Sequence, residues 1–203
     1  MGYVEAAAVV DLQAALGLPP APSFPLQQAG PAERLAVIEL GRELATLVML
    51  TGVGFFAGRR GWLWLAWTAV AFGAWDLAYY GWLSVFSGWP SSLGAWDLLF
   101  LIPVPWVGPV WAPVAVSALL IGFGLLGAGR AQLRVRRRDV AAALAGGGLV
   151  ILSFTHDTPR LLNGGVPTWF PWPLFALGLG LAASAAIDVL LEARSRTTVE
   201  TTG

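Results

Sequence analysis

SSLGAWDLLFLIPVPWVGPVWAP, Ser91–Pro113, separates two long apolar stretches, and its reading decides how often the chain crosses a membrane. If Leu98–Val107 is a crossing, there are six. If the segment stays at one surface, there are five. A spanning helix takes roughly 20 apolar residues, and Pro103, Pro105, Pro109 and Pro113 interrupt regular helix here. Ser91 and Ser92 are suited to cap a helix N-terminus. The segment is therefore expected to open with a short helix ending before Pro103, lying in the membrane interface. An extended Pro/Trp-rich outer loop then leads back into the membrane. Non-helical backbone at that depth must be buried in protein or wetted.

The rest of the chain supports five crossings. Of 203 residues, 57% are hydrophobic and only 12% charged, about half the charge of a soluble domain. Mean hydropathy is +0.69. Apolar stretches recur at residues 32–57, 62–86, 110–128, 140–156 and 172–191, and each is predicted to form a transmembrane helix. The expected fold class is all-α, a five-span transmembrane helix bundle. Residues 1–31 form an N-terminal tail with a Pro-rich linker (Pro19–Pro31), residues 32–193 the membrane domain and residues 194–203 a C-terminal tail. The start, MGYVEAAAVVDLQAALG, carries Glu5 and Asp11 and no positive segment. It reads as a short helix, not as a secretory signal.

Arginine placement sets the orientation. Arg59 and Arg60 follow the first stretch, Arg130, Arg134 and Arg136–Arg138 the third, and Arg194 and Arg196 the fifth. Five crossings put all three groups on one side, which the positive-inside rule makes cytoplasmic. The N-terminus is then outside. Six crossings would scatter them over both sides. Arg-only, Ala/Gly-rich usage suits a bacterial inner membrane.

Several chemistries are excluded. The chain has no Cys, so disulfides, thiolate catalysis and iron–sulfur ligation are ruled out. All twelve basic residues are Arg, which rules out a lysine Schiff base. One His leaves no site of several imidazoles. No nucleic-acid partner is expected, and no cofactor is specified. The expected partners are the bilayer and a membrane protein or second copy of the chain.

The candidate site comes from charges inside spans, which are costly and mark function. Glu39, Arg42 and Glu43 share one helix face through offsets of three and four. GAWDL occurs twice, at Gly73–Leu77 and Gly94–Leu98, bringing Asp76 and Asp97. Tyr80 lies one turn after Asp76. Glu43 precedes Arg59 by sixteen residues and Asp76 follows Arg60 by sixteen. Antiparallel helices hinged there hold both about 24 Å above the turn. His156 ends the fourth stretch at a similar level, with Asp157 and Arg160 after it. These nine residues are expected to gather in the outer leaflet, roofed by the Pro/Trp-rich loop and by GGVPTWFPWP, Gly164–Pro173. They would bind or conduct a small ligand, an ion or a proton. Two alternatives stay open: a structural salt-bridge network in an accessory subunit, or a metal-dependent membrane enzyme. No H-E-x-x-H spacing or other enzyme signature is present. Asp188 and Glu192 are expected to pair with Arg near the cytoplasmic end.

Small residues recur every four positions in the fifth stretch, as Ala176, Gly180 and Ser184 and as Gly178, Ala182 and Ala186, and Gly146–Gly148 punctuate the fourth. Close helix packing is expected there. The block GWPSSLGAWDLLFLIPVPWVGPV, Gly88–Val110, resembles a segment of uncharacterised small bacterial multi-pass membrane proteins, a resemblance that implies no activity. PWVGPVW, Pro105–Trp111, is also similar to the Pro/Trp-rich segment of the tryptophan-rich sensory (translocator) proteins. There it follows the first helix, whereas here it follows the second with only three spans after it, a placement that argues against membership of that family.

Overall fold

The computed structural model describes residues 1–19, 22, 31–59, 61–130, 133 and 135–200, with backbone alone at 16, 31–36 and 193–200. Most of the expected Pro-rich linker, together with Arg60 and Arg134, lies outside them, as do the side chains of Arg194 and Arg196. Glycine and proline set the helix ends. The first helix, α1 (Gly2–Leu16), stops at Gly17, whose left-handed backbone (φ 65°) lets its N–H reach the last carbonyls. The second and third, α2 (Pro31–Gly58) and α3 (Trp62–Ser87), are joined by a tight turn with positive φ at Arg59 and Gly61. A strand β1 (Trp96–Phe100) and a strand β2 (Trp106–Pro109) follow, then α4 (Trp111–Ala128), with Pro113 tolerated in its first turn. The last helices are α5 (Arg137–Thr155), the short α6 (Thr158–Leu162) and α7 (Trp172–Glu200). At the start of α5, the Asp139 carboxylate accepts the Arg136 N–H at 2.9 Å.

The fold is mostly helical. Among the described residues, four helical segments are long and apolar enough to cross a membrane: Val37–Gly58, Trp111–Ala128, Arg137–Leu162 and Trp172–Glu192. The 26 residues of α3 rise about 39 Å. Its Trp, Tyr, Gly and Asp76 content keeps it out of that apolar class.

The short interfacial helix expected after Ser91 is not formed. Its residues make β1, paired antiparallel with β2 in the register Trp96↔Pro109, Asp97↔Gly108, Leu98↔Val107 and Phe100↔Trp106, with a bulge at Leu99. Backbone pairing continues outward, Val110 N–H to Ala95 O and Trp111 N–H to Leu93 O, both at 2.9 Å. The cause is backbone satisfaction. WVGP, set among prolines, cannot be helical and needs hydrogen-bond partners in an apolar setting. WDLLF is a short, mostly apolar segment that either element accepts. Only the strand form serves both segments.

Helix neighbours follow an arc. α1 and α2 pack on α3, α3 on α4, α4 on α7, and α7 on α5. The expected N-terminal tail thus opens with a docked helix. Tyr3 meets Trp82 and Phe86 edge-on at 5.1 and 5.2 Å, and Ala6 joins a core with Tyr80, Leu83, Trp89 and Val110. A second core gathers Ala112, Phe154, Phe170 and Phe175. α5 and α7 touch backbone to backbone. A Cβ at Gly146 would stand 2.6 Å from the Gly178 carbonyl and 2.7 Å from the Ala182 nitrogen. The Gly178–Ala182 row therefore forms the contact, while Ala176, Gly180 and Ser184 face outward. At the other end, Glu192 pairs with Arg136 at 2.6 Å and with Arg138 at 3.7 Å, and Asp188 with Arg138 at 3.7 Å.

The two GAWDL glycines differ in what surrounds them. A Cβ on Gly73 would lie 2.6 Å from the Ser117 carbonyl of α4, whereas one on Gly94 meets only the Ser92 hydroxyl at 3.8 Å. Gly73→Ala is expected to push α3 and α4 apart and cost about 1–3 kcal/mol. Gly94→Ala should stay within about 0.5 kcal/mol of wild type. Melting in detergent, followed by Trp fluorescence, checks both.

Candidate functional site

One cavity of about 400 Å³ collects the charged side chains. Its α2 wall carries Glu39, Arg42, Glu43 and Thr46, which the offsets of three and four place on one helix face. α3 adds Asp76, Tyr79 and Tyr80, the hairpin adds Asp97, and α4 adds Ser117. Aromatic rings of Phe72, Trp75, Phe100, Trp106 and Phe154 fill much of the remaining wall. The two GAWDL carboxylates, from a helix and from a strand, thus face the same space.

Each carboxylate is held in its own way. Asp97 accepts the Tyr80 hydroxyl at 2.7 Å and the Leu98 N–H at 2.8 Å. Asp76 accepts the Ser117 hydroxyl at 2.8 Å, and its other oxygen has no partner among the described residues. Glu43 accepts the Leu101 N–H with both oxygens, at 2.8 and 3.0 Å. Glu43, Asp76 and Asp97 are only 6%, 6% and 4% exposed. No Arg or His nitrogen among the described residues comes within 4 Å of any of them. Arg42 is engaged elsewhere, with Glu39 (Nε to Oε2, 3.0 Å) and with Glu5. The indole N–H groups of Trp75 and Trp106, residues that line the cavity, are buried without an acceptor.

Glu5 is the functional candidate that sequence reasoning missed. It is buried, pairs with Arg42 and accepts the Thr46 hydroxyl. A lone Glu in the apolar run GYVEAAAVV was the available signal, but a helix of fifteen residues reads as a tail until it is seen to dock. Thr46 and Ser117 carried no charge to attract notice.

His156, Asp157 and Arg160 do not reach the cavity. His156 packs edge-on against Trp169 at 5.3 Å, with Nδ1 3.2 Å from the Ser153 carbonyl and Nε2 3.9 Å from Asp157. Asp157 accepts the Thr168 N–H at 2.9 Å and pins the loop before α7. Arg160 is exposed. Counting along the helix set the level of His156 but not its azimuth. Phe154 faces the cavity, and a residue two positions on points about 200° away on a helix of 3.6 residues per turn. Among the described residues no three His, Asp or Glu side chains form a metal-ligand cluster.

Burial pushes the Asp97 carboxyl from 3.8 up to about 6, against the opposing hydrogen bonds from Tyr80 and the Leu98 N–H. Asp76 nearby adds to the rise. A pKa raised by folding means that the folded state binds this proton more tightly. The stability contributed by Asp97 is present below its unfolded value and is lost as pH climbs through about 6. Melting temperatures measured from about pH 4 to pH 7.5 should fall with rising pH, and Asp97→Asn should remove part of that slope. An unchanged slope in the variant would contradict the assignment.

No protein family, curated protein or solved structure matches this chain.

Proposed function

We propose that this chain is a five-span protein of a bacterial inner membrane whose cavity binds a small cationic ligand, an organic ammonium being the best fit. In this reading α3 is the fifth crossing, since it packs between α2 and α4, two of the membrane-length helices. The arginine distribution then sets the N-terminus outside and the C-terminus in the cytoplasm. The cavity lies in the outer leaflet.

The observation that carries the proposal is a charge imbalance. Among the described residues, five carboxyl groups (Glu5, Glu39, Glu43, Asp76 and Asp97) line the cavity with one guanidinium, Arg42, already engaged by Glu5 and Glu39. A structural salt-bridge network would match each buried carboxylate with a cation. Here three have only neutral donors among the described residues, in a space walled by aromatic rings. Carboxylates beside aromatic faces suit an ammonium, through charge pairing and cation–π attraction. The metal-dependent enzyme alternative lacks a converging ligand set among the described residues.

Asp76→Asn keeps the shape of the side chain and its bond to Ser117. The pocket reading expects the variant to be as stable as wild type or more so, because a buried charge is removed. It also expects tetramethylammonium to raise the melting temperature of wild type and to lose that effect in the variant by about tenfold in affinity or more. Destabilisation of the variant, with no response of wild type to any ammonium, would instead support the structural network.

A further inference from the structure

The arc of packed helices runs α2–α3–α4–α7–α5, so α2 and α5 are its two ends. Both line the cavity, yet among the described residues they make no extensive contact with each other. The hairpin closes one end: β1 leads to Leu101, bonded to Glu43 on α2, and β2 packs on α5. Between α2 and α5 a seam is left along the side of the bundle. Ile151 marks its mouth, since it lines the cavity and is 44% exposed.

The cavity is also polarised. Every carboxylate comes from α1, α2, α3 or the hairpin, while α5 contributes only Gly147, Val150, Ile151 and Phe154. The Asp76 carboxylate, 6% exposed and with one oxygen unpartnered among the described residues, marks the polar side. An apolar wall facing an acidic one, with a side opening toward lipid, matches a molecule with two unlike ends. Among the described residues Arg42 is the cavity's guanidinium and is taken by two carboxylates, so none of them offers a free guanidinium to a phosphate.

We infer that the ligand is an amphiphile with a cationic amine headgroup and a hydrocarbon chain, taken sideways from the bilayer through the α2–α5 seam. The inference rests on the ammonium-pocket reading above and adds the route and the chain. The amine sits among Glu43, Asp76 and Asp97. The chain lies along Val150 and Ile151 and leaves between the helices. Lipid chains offer it the same apolar surroundings outside, so specificity comes from the headgroup and the chain sets the path.

The test uses the full chain in phosphatidylglycerol nanodiscs and a dodecylammonium probe with a diazirine at the far end of its chain. The expected result is saturable labelling, competed by unlabelled dodecylammonium, on peptides of α2 and α5. A Cβ at Gly147 meets no atom within 4 Å, so Gly147→Trp puts a ring at the apolar wall. It should cut labelling by about tenfold or more. Saturable labelling of wild type that falls on α1 or the hairpin overturns the sideways route and leaves the pocket reading standing. Absence of saturable labelling, together with no stabilisation by tetramethylammonium, overturns both. The wild-type labelling map decides the route even if Gly147→Trp fails to fold.

Discussion

The Leu101 N–H, just past the end of β1, donates to both oxygens of Glu43 on α2. Much else depends on that bond. A backbone donor in an apolar setting must find an acceptor, and a buried carboxylate must find donors. Each meets the need of the other, and together they tie the non-helical segment to the bundle. With β1 anchored, Asp97 is held against the Tyr80 hydroxyl and Trp106 is brought over Phe154. The hairpin therefore roofs the cavity instead of lying loose at the interface.

Close helix approach supplies the walls. Gly73 lets α3 and α4 meet, and the same approach sets the Ser117 hydroxyl against Asp76 one turn later. Gly146 and Gly178 do the equivalent for α5 and α7. These contacts concentrate packing within the arc and leave its ends unpacked against each other. The space enclosed is the consequence. Helices that meet through small residues gain van der Waals contact, which drives association where lipid removes the hydrophobic incentive.

The carboxylates explain why the first GAWDL tolerates a charge within a helix. Asp76 is buried next to a hydroxyl, with no counter-ion within 4 Å among the described residues, an arrangement more costly than a paired one unless a proton or cation completes it. The residues most readable as a site were those on α2 and α3, because helical offsets and counting from the Arg59 turn give both face and level. The same arithmetic did not place His156, since it carries no information on which side of the helix a residue faces. Glu5 was hidden for another reason. Its role depends on a docking that no local pattern in α1 encodes.

By itself the sequence determined the mostly helical class, the presence of helices long and apolar enough to cross a membrane, the shared face of Glu39, Arg42 and Glu43, and the small-residue rows available for packing. These follow from local quantities: hydropathy over a window, helical rise per residue and side-chain size. Only the tertiary structure decided that Trp96–Phe100 is a strand, that α1 docks and brings Glu5 to Arg42, which row of α7 meets α5, and that α2 and α5 face each other across a cavity. Each of those depends on which partner satisfies a backbone group, a charge or a surface. That is a property of contacts distant in sequence, and no stretch of the chain carries it alone.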